Sequence, residues 1–323
     1  MSTAVTTKPS SIAHRITSRM DWRSNIIYVA FVLVFILFAV TLGDIGFLST
    51  NNLLNIVRQT ATISVMAVAM TFVIANAEID LSVGSVAGLA SVITAITVTN
   101  YGLLPGILAG LASGAIIGAI NGALVAWLKV PSFLVTLGML GLAAGLAQWI
   151  TGSAPQPITD STYVLIFGGG DFGPVPGLLA WTALAVTVGW IVMNRTPYGR
   201  QVLATGGNPT AAAYTGIRTA RIKFTVLITS GVVAAVAGML YAGRLESGRF
   251  QWGQGDELTV IAAVILGGTS LFGGRGAIIG TLFGSLFMGL INNGLILAGL
   301  DVAQQQVIRG AIIIAAVALS RKK

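Results

Sequence analysis

The sequence predicts an all-α polytopic membrane protein: about ten transmembrane helices with an inverted internal repeat, spans two to five against spans seven to ten. Three observations lead there. Of 323 residues, 55 % are hydrophobic and 9 % charged, with mean hydropathy +0.88, whereas about a quarter of a soluble domain is charged. The apolar runs are continuous over about 17–25 residues, the length of helix that crosses about 30 Å of hydrocarbon. A barrel would instead alternate over about ten residues, and lipid admits no third arrangement, because every backbone N–H and C=O must be paired internally. Glycine stripes, finally, recur at an offset of about 170 residues.

In chain order, residues 1–25 form a Ser/Thr-rich tail with Lys8, Arg15, Arg19 and Arg23. The run 26–42 is long and lacks a small-residue cleavage site at its end, so it reads as an uncleaved first span. Further spans are expected at 53–76, 81–99, 103–128, 132–151, 178–194, 222–244, 258–272, 277–298 and 303–320. They make residues 26–323 one transmembrane domain, with a polar loop at 195–223. Ten spans put both termini on one side. With the termini inside, fourteen Lys and Arg fall inside, three outside (Arg58, Arg244, Arg249), and Arg309 lies within a span. That asymmetry orients the chain by the positive-inside rule. The loop 152–177, rich in Gly and Pro, falls outside, and the stretch 195–223 falls in the cytoplasm.

Gly106, Gly110, Gly114, Gly118 and Gly122 recur every fourth residue on the fourth span, and Gly276, Gly280 and Gly284 do so on the ninth. Each span carries an Asn-Gly pair, Asn121-Gly122 or Asn293-Gly294. An odd number of crossings separates the copies, which inverts one relative to the other, a construction of transporters with a central path. The stripes are read first as close helix packing and second as substrate contact.

Polar residues within a membrane are costly and therefore candidates for function. Asn76, Glu78, Asp80, Ser82 and Ser85 break the apolar run between spans two and three. As turn or capping residues they would satisfy free helix N–H groups; alternatively they form a path or gate, or a proton relay. Asn121, Gln148, Asn292 and Asn293 could line the path or bond between helices. Glu246, Arg249, Asp256 and Glu257 precede span eight on the outside, as a docking or gate surface or a solvated loop. Arg309 is read as snorkelling outward or pairing with a carboxylate. Several chemistries are excluded. There is no Cys, His14 is the single His, and no Gly-x-x-x-x-Gly-Lys-Ser/Thr phosphate loop occurs. The +8 charge is dispersed between apolar runs, which suits a lipid bilayer and not nucleic acid.

The stretch 195–223 carries five basic residues and no acidic one around a Gly-Gly-Asn-Pro turn at 206–209. Here the residues match a family. Segments 51–56 (NNLLNI), 67–74 (AVAMTFVI), 79–85 (IDLSVGS), 204–217 (ATGGNPTAAAYTGI), 262–270 (AAVILGGTS), 273–281 (GGRGAIIGT) and 290–295 (LINNGL) occur in the family's order. Over about residues 45–320 the chain resembles permease subunits of ribose-type ABC sugar importers, related to branched-chain amino-acid permeases. The resemblance implies a non-enzymatic subunit of the bacterial inner membrane, paired with an identical or similar permease. It further implies a cytoplasmic ATPase subunit, which holds ATP and magnesium, and a periplasmic sugar-binding protein. The coupling helix that enters the ATPase then corresponds to Asn208, Pro209, Thr210, Ala211, Ala212, Ala213, Tyr214 and Thr215, ended by Gly216. Many relatives carry an acidic pair where this chain has Pro209-Thr210, although Asn208 suits the N-cap and Pro209 the first helical position. A bulky charged residue at Ala212 or Gly216 is expected to abolish uptake and ATPase association. Competing readings are an ABC permease for an amino acid, a nucleoside or a sugar-derived signal, and a secondary transporter using Glu78 and Asp80 as a proton relay.

Overall fold

The computed structural model describes residues 22–171, 173 and 176–319. Most of the expected tail and the basic residues Arg321, Lys322 and Lys323 lie outside the described residues. The described chain is all-α, with thirteen helices and one two-residue strand pair. They are α1 Trp22–Thr41, α2 Thr50–Ala75, α3 Val83–Tyr101, α4 Leu103–Ala126, α5 Ser132–Thr151, α6 Ser161–Val164, α7 Gly177–Arg195, α8 Pro197–Gly207, α9 Pro209–Tyr214, α10 Thr219–Arg244, α11 Asp256–Leu266, α12 Ile278–Leu297 and α13 Val302–Leu319. Seven of these, α2 to α5, α7, α10 and α12, are long and apolar enough to cross a membrane.

Two 26-residue helices, α2 and α10, form the centre and touch each other. From Thr60 to Ala75, α2 is buried on every face. The packing is reciprocal. Helix α2 lies against α11 and α12, while α10 lies against α3 and α4; α3 also contacts α4 and α5, as α11 contacts α12 and α13. The periphery inverts the soluble pattern: Leu137, Leu142, Trp149 and Ile150 of α5 are exposed, a surface whose natural solvent is hydrocarbon.

Glycine makes the central approach close enough. A Cβ on Gly114 would run into the carbonyl oxygen of Gly231, and one on Gly231 into that of Gly114. On the other stripe, Gly280 and Gly284 abut the backbone oxygens of Gly267 and Ala263. Their use here is packing.

Helix α11 corrects the expected span 258–272. It has eleven residues, about 17 Å of rise at 1.5 Å per residue, little more than half a bilayer core. The missing length is non-helical backbone. Residues 245–255 run down beside α3: Arg249 N donates to Ser91 Oγ at 3.2 Å, and the carbonyls of Phe250 and Trp252 face Gly88. Gly253, at φ +84°, then meets Gly84 near the start of α3. Irregular backbone at this depth is tolerated where protein supplies its partners, as the Ser91 hydroxyl does for Arg249 at N and O.

At the same end as this descending segment, the 152–177 loop is more ordered than expected. Gln156–Pro157 pairs antiparallel with Ser247–Gly248, and α6 continues into a wider turn at Leu165–Gly169. Tyr163 inserts there, its OH donating to Met239 O at 3.0 Å, and burial pushes its pKa upward. An ion pair between Arg58 and Asp171 at 2.6 Å ties α2 to the loop.

Candidate functional site

Three polar regions interrupt the bundle. The first is the basic stretch, which folds as two helices rather than one. Thr196 caps α8, accepting from Gly199 N at 3.3 Å, with Pro197 in the first turn. That helix went unrecognised in the sequence, although Thr-Pro is a start signal for it. It runs through Gly207, so the supposed turn at 206–209 contracts to Asn208. Asn208 Oδ1 accepts from Ala211 N at 2.9 Å and starts α9, with Pro209 in its first turn. Gly216, at φ +88°, follows the end of α9, a conformation that costs glycine little. Ala212 faces inward and is buried; Thr210, Ala211, Ala213 and Thr215 are exposed, and Tyr214 is 88 % exposed. Gly206 packs on the carbonyl oxygen of Ala75, which also accepts from Gly274 N at 2.9 Å. The basic stretch therefore rests on the end of α2 and on the 267–277 loop.

The second region is the break at 76–82. Asp80 is buried and accepts three hydrogen bonds: from Ser82 N at 2.9 Å, Ser82 Oγ at 2.6 Å and Ser230 Oγ of α10 at 2.7 Å. Asn121 of α4 donates to Ser82 Oγ at 3.0 Å. Ser82 stands at the cap position of α3, yet its side chain makes no capping bond because Asp80 takes its hydroxyl. Glu78 pairs with Lys223, and Ser85 is buried in the first turn of α3. Asn76 is buried at the end of α2, with both amide atoms unpartnered, as is Asn121 Oδ1.

Sequence reasoning missed the residues that hold this break. Ser132 Oγ accepts from Ile79 N, and Thr136 Oγ1 from Leu81 N, each at 3.0 Å. Their spacing of four puts both hydroxyls on one face of α5, which is the signal that could have found them.

Lys223 is the other missed partner, and its removal is the more informative. Lys223→Met leaves the buried Glu78 carboxylate unpaired. Because the lysine is partly exposed, the expected loss is about 2 kcal/mol, below the 3–5 kcal/mol of a fully buried pair. The Glu78→Gln/Lys223→Met double variant should recover most of it. Thermal unfolding in detergent measures both, and equal melting of wild type and Lys223→Met would refute the assignment.

The third region adjoins the start of α11. Tyr241 OH donates to Asp256 Oδ2 at 2.6 Å. Asp256, expected with its neighbours on a docking or gate surface or a solvated loop, lines a partly open cavity, because the chain before α11 descends into the bundle. Asn292 and Arg309 line the same cavity, so Arg309 faces a carboxylate-bearing wall. Glu257 is half-buried and accepts from Gly255 N at 3.1 Å. Glu246 and Arg249 do lie on the surface, the Arg249 guanidinium 5.4 Å from the Trp252 ring centroid.

Two further candidates separate from these regions. Asn293 and Asn52 exchange amide hydrogen bonds at 2.9 and 3.1 Å, an interhelical clasp. Gln148 is exposed beside Trp149 and Ile150 on the outer face of α5, away from the other path candidates. The helical period of the preceding residues turns it outward.

The chain matches the family described as branched-chain amino acid transport system / permease component over residues 52–317. It is 44 % identical over 290 residues to the probable ABC transporter permease protein YphD of Escherichia coli (strain K12), covering 88 % of this chain and 86 % of that one. With the ribose import permease protein RbsC of Bacillus subtilis (strain 168) it shares 40 % identity over 295 residues, 91 % of each chain. The fructose import permease protein FrcC of Rhizobium meliloti is 38 % identical over 304 residues, 91 % and 84 % of the two chains. No solved structure matches the chain. Permeases of ABC importers work with a separate ATPase and a binding protein, and hydrolysis belongs to the ATPase. With seven membrane-length helices and a family match across most of its length, the chain is a multi-pass, non-enzymatic membrane permease component belonging to the branched-chain amino acid transport system / permease component family.

Proposed function

We propose that this chain is the membrane-spanning permease subunit of an ATP-binding-cassette importer that passes a monosaccharide, delivered by a periplasmic binding protein, into the cytoplasm. The observation that carries the cargo is near-full-length similarity to permeases named for ribose and fructose import. The basic end faces the cytoplasm with both termini, by the charge asymmetry of the sequence, in the inner membrane. There the capped helix α9 meets the ATPase, which holds ATP and magnesium. Glu246 and Arg249 at the opposite end meet the binding protein. A second permease copy completes the translocation unit about a two-fold axis, the commonest symmetry of oligomers.

The reciprocal packing of α2–α5 with α10–α13 supports an inverted repeat whose halves rock between two states. ATP binding closes the ATPase dimer and drives α9, which leads through residues 215–218 into α10. Lys223 and Ser230 on α10 hold Glu78 and Asp80, so movement of α9 is conveyed to the break at 76–82. Under this reading Glu78 and Asp80 form a gate linkage and not a proton relay: both carboxylates are engaged by α10.

The test is reconstitution of permease, ATPase and binding protein in liposomes with labelled D-ribose, D-fructose or L-arabinose. ATP-dependent accumulation of at least one sugar, requiring all three components, is the expected result. Uptake driven by a pH gradient alone, lost in Glu78→Gln/Asp80→Asn, would establish the secondary transporter instead.

A further inference from the structure

The break before α11 opens a cavity of about 210 Å³ between α2, α10, α11, α12 and α13. At about 30 Å³ per water it has room for about seven waters, well under the volume of drug-sized sites. Its place in the bundle is central. Gly289 and Asn292 on its wall lie past the middle of the 20-residue α12, and Asp256 is the first residue of the shortened α11. A discontinuous helix ending at mid-depth beside a polar hollow is how transporters place small solutes.

The lining suits a neutral polyol. Each sugar hydroxyl both donates and accepts, so its site must offer both kinds of partner. Asp256, whose Oδ2 already accepts from Tyr241 OH, offers its other oxygen; Asn292 Oδ1 also accepts, and Arg244 and Arg309 donate. Asn292 Oδ1 is buried and receives no hydrogen bond from the protein, an acceptor that is costly to leave unmet. Met288 adds an apolar wall for the C–H face of a ring. The region related by the packing exchange contrasts with it. There Asp80 spends its acceptors on Ser82 and Ser230, within the protein.

We infer that this cavity is a monosaccharide subsite of the permease itself, occupied after the binding protein releases its sugar. The inference rests on the importer reading and adds a site within the membrane to it. The experiment is equilibrium binding of tritiated D-ribose, D-fructose and L-arabinose to purified full-length permease in nanodiscs, without binding protein. Saturable binding of at least one sugar is expected. Asn292→Leu and Arg309→Met should each weaken it about tenfold or more, whereas Asn100→Ala, at the exposed end of α3, should leave it unchanged. Two separate variants guard against misfolding of either, and size-exclusion profiles report on both.

Absence of saturable binding in the wild type, or unchanged affinity in folded Asn292→Leu and Arg309→Met, overturns the subsite. Tighter binding of the sugar acid D-ribonate than of any neutral sugar also overturns it, since the two arginines would then be reading an anion. Uptake by the reconstituted importer without binding to the permease sinks the subsite alone. Binding without ATP-driven uptake sinks the importer reading and leaves the subsite standing.

Discussion

Replacing Tyr214 by alanine is expected to release the permease from its ATPase and stop ATP-driven uptake, while the folded permease is recovered in normal amounts. Six residues are too few for a helix to persist alone, and α9 stands because the Asn208 cap and the buried Ala212 anchor it to the bundle. Ala212, chosen from the sequence as a probe, therefore reports on that anchorage. Tyr214 is 88 % exposed at the last turn, a large amphipathic side chain with no role in this chain's core. Aromatic anchors at the centre of an interface contribute 2 kcal/mol or more, so affinity for the ATPase should fall about thirtyfold. Biolayer interferometry between nanodisc-held permease and purified ATPase measures it. Wild-type affinity in Tyr214→Ala would place the contact elsewhere.

The second large effect is on stability. Asp80→Ala removes the acceptor shared by three donors at the crossing of the first break with α10. Each buried group left unpaired costs about 1–3 kcal/mol, and the network loses more than one at once. The expected loss is about 4 kcal/mol, read as a large drop in the melting temperature in detergent and poor recovery after purification. Asp80→Asn keeps an acceptor oxygen and should lose less than half as much, because the two serine hydroxyls can rotate to meet its amide. Equal loss in both variants would mean that the charge, and not the shared acceptor, holds the break.

Legibility of the chain divides along physical lines. The membrane class and most helix limits follow from local patterns: continuous apolar runs, Asn208-Pro209 as a helix start, Gly216 just past its end. Close packing at the glycine stripes was legible too, because a residue without Cβ has few other uses at every fourth position of an apolar helix. The polar cluster 76–85 stood out for the same reason, as an expensive interruption of hydrocarbon.

What these residues do there was not legible, because their partners lie far along the chain. Ser230 is 150 residues from Asp80, Lys223 is 145 from Glu78, and Asn52 is 241 from Asn293. Likewise, the expected span 258–272 ran on through Gly267-Gly268-Thr269-Ser270, whereas the chain's descent beside α3 begins α11 at mid-depth, and Gly268 at φ +94° follows its end at Leu266. That descent also put Asp256 on the wall of a partly open cavity, while the helical phase of α5 left Gln148 outside. The sequence by itself determined the solvent, the helices and where polar groups interrupt them, since each follows from chemistry within a few turns. Only the tertiary structure decided which interruptions close on themselves and which enclose space, because that depends on how distant helices pack across the bundle.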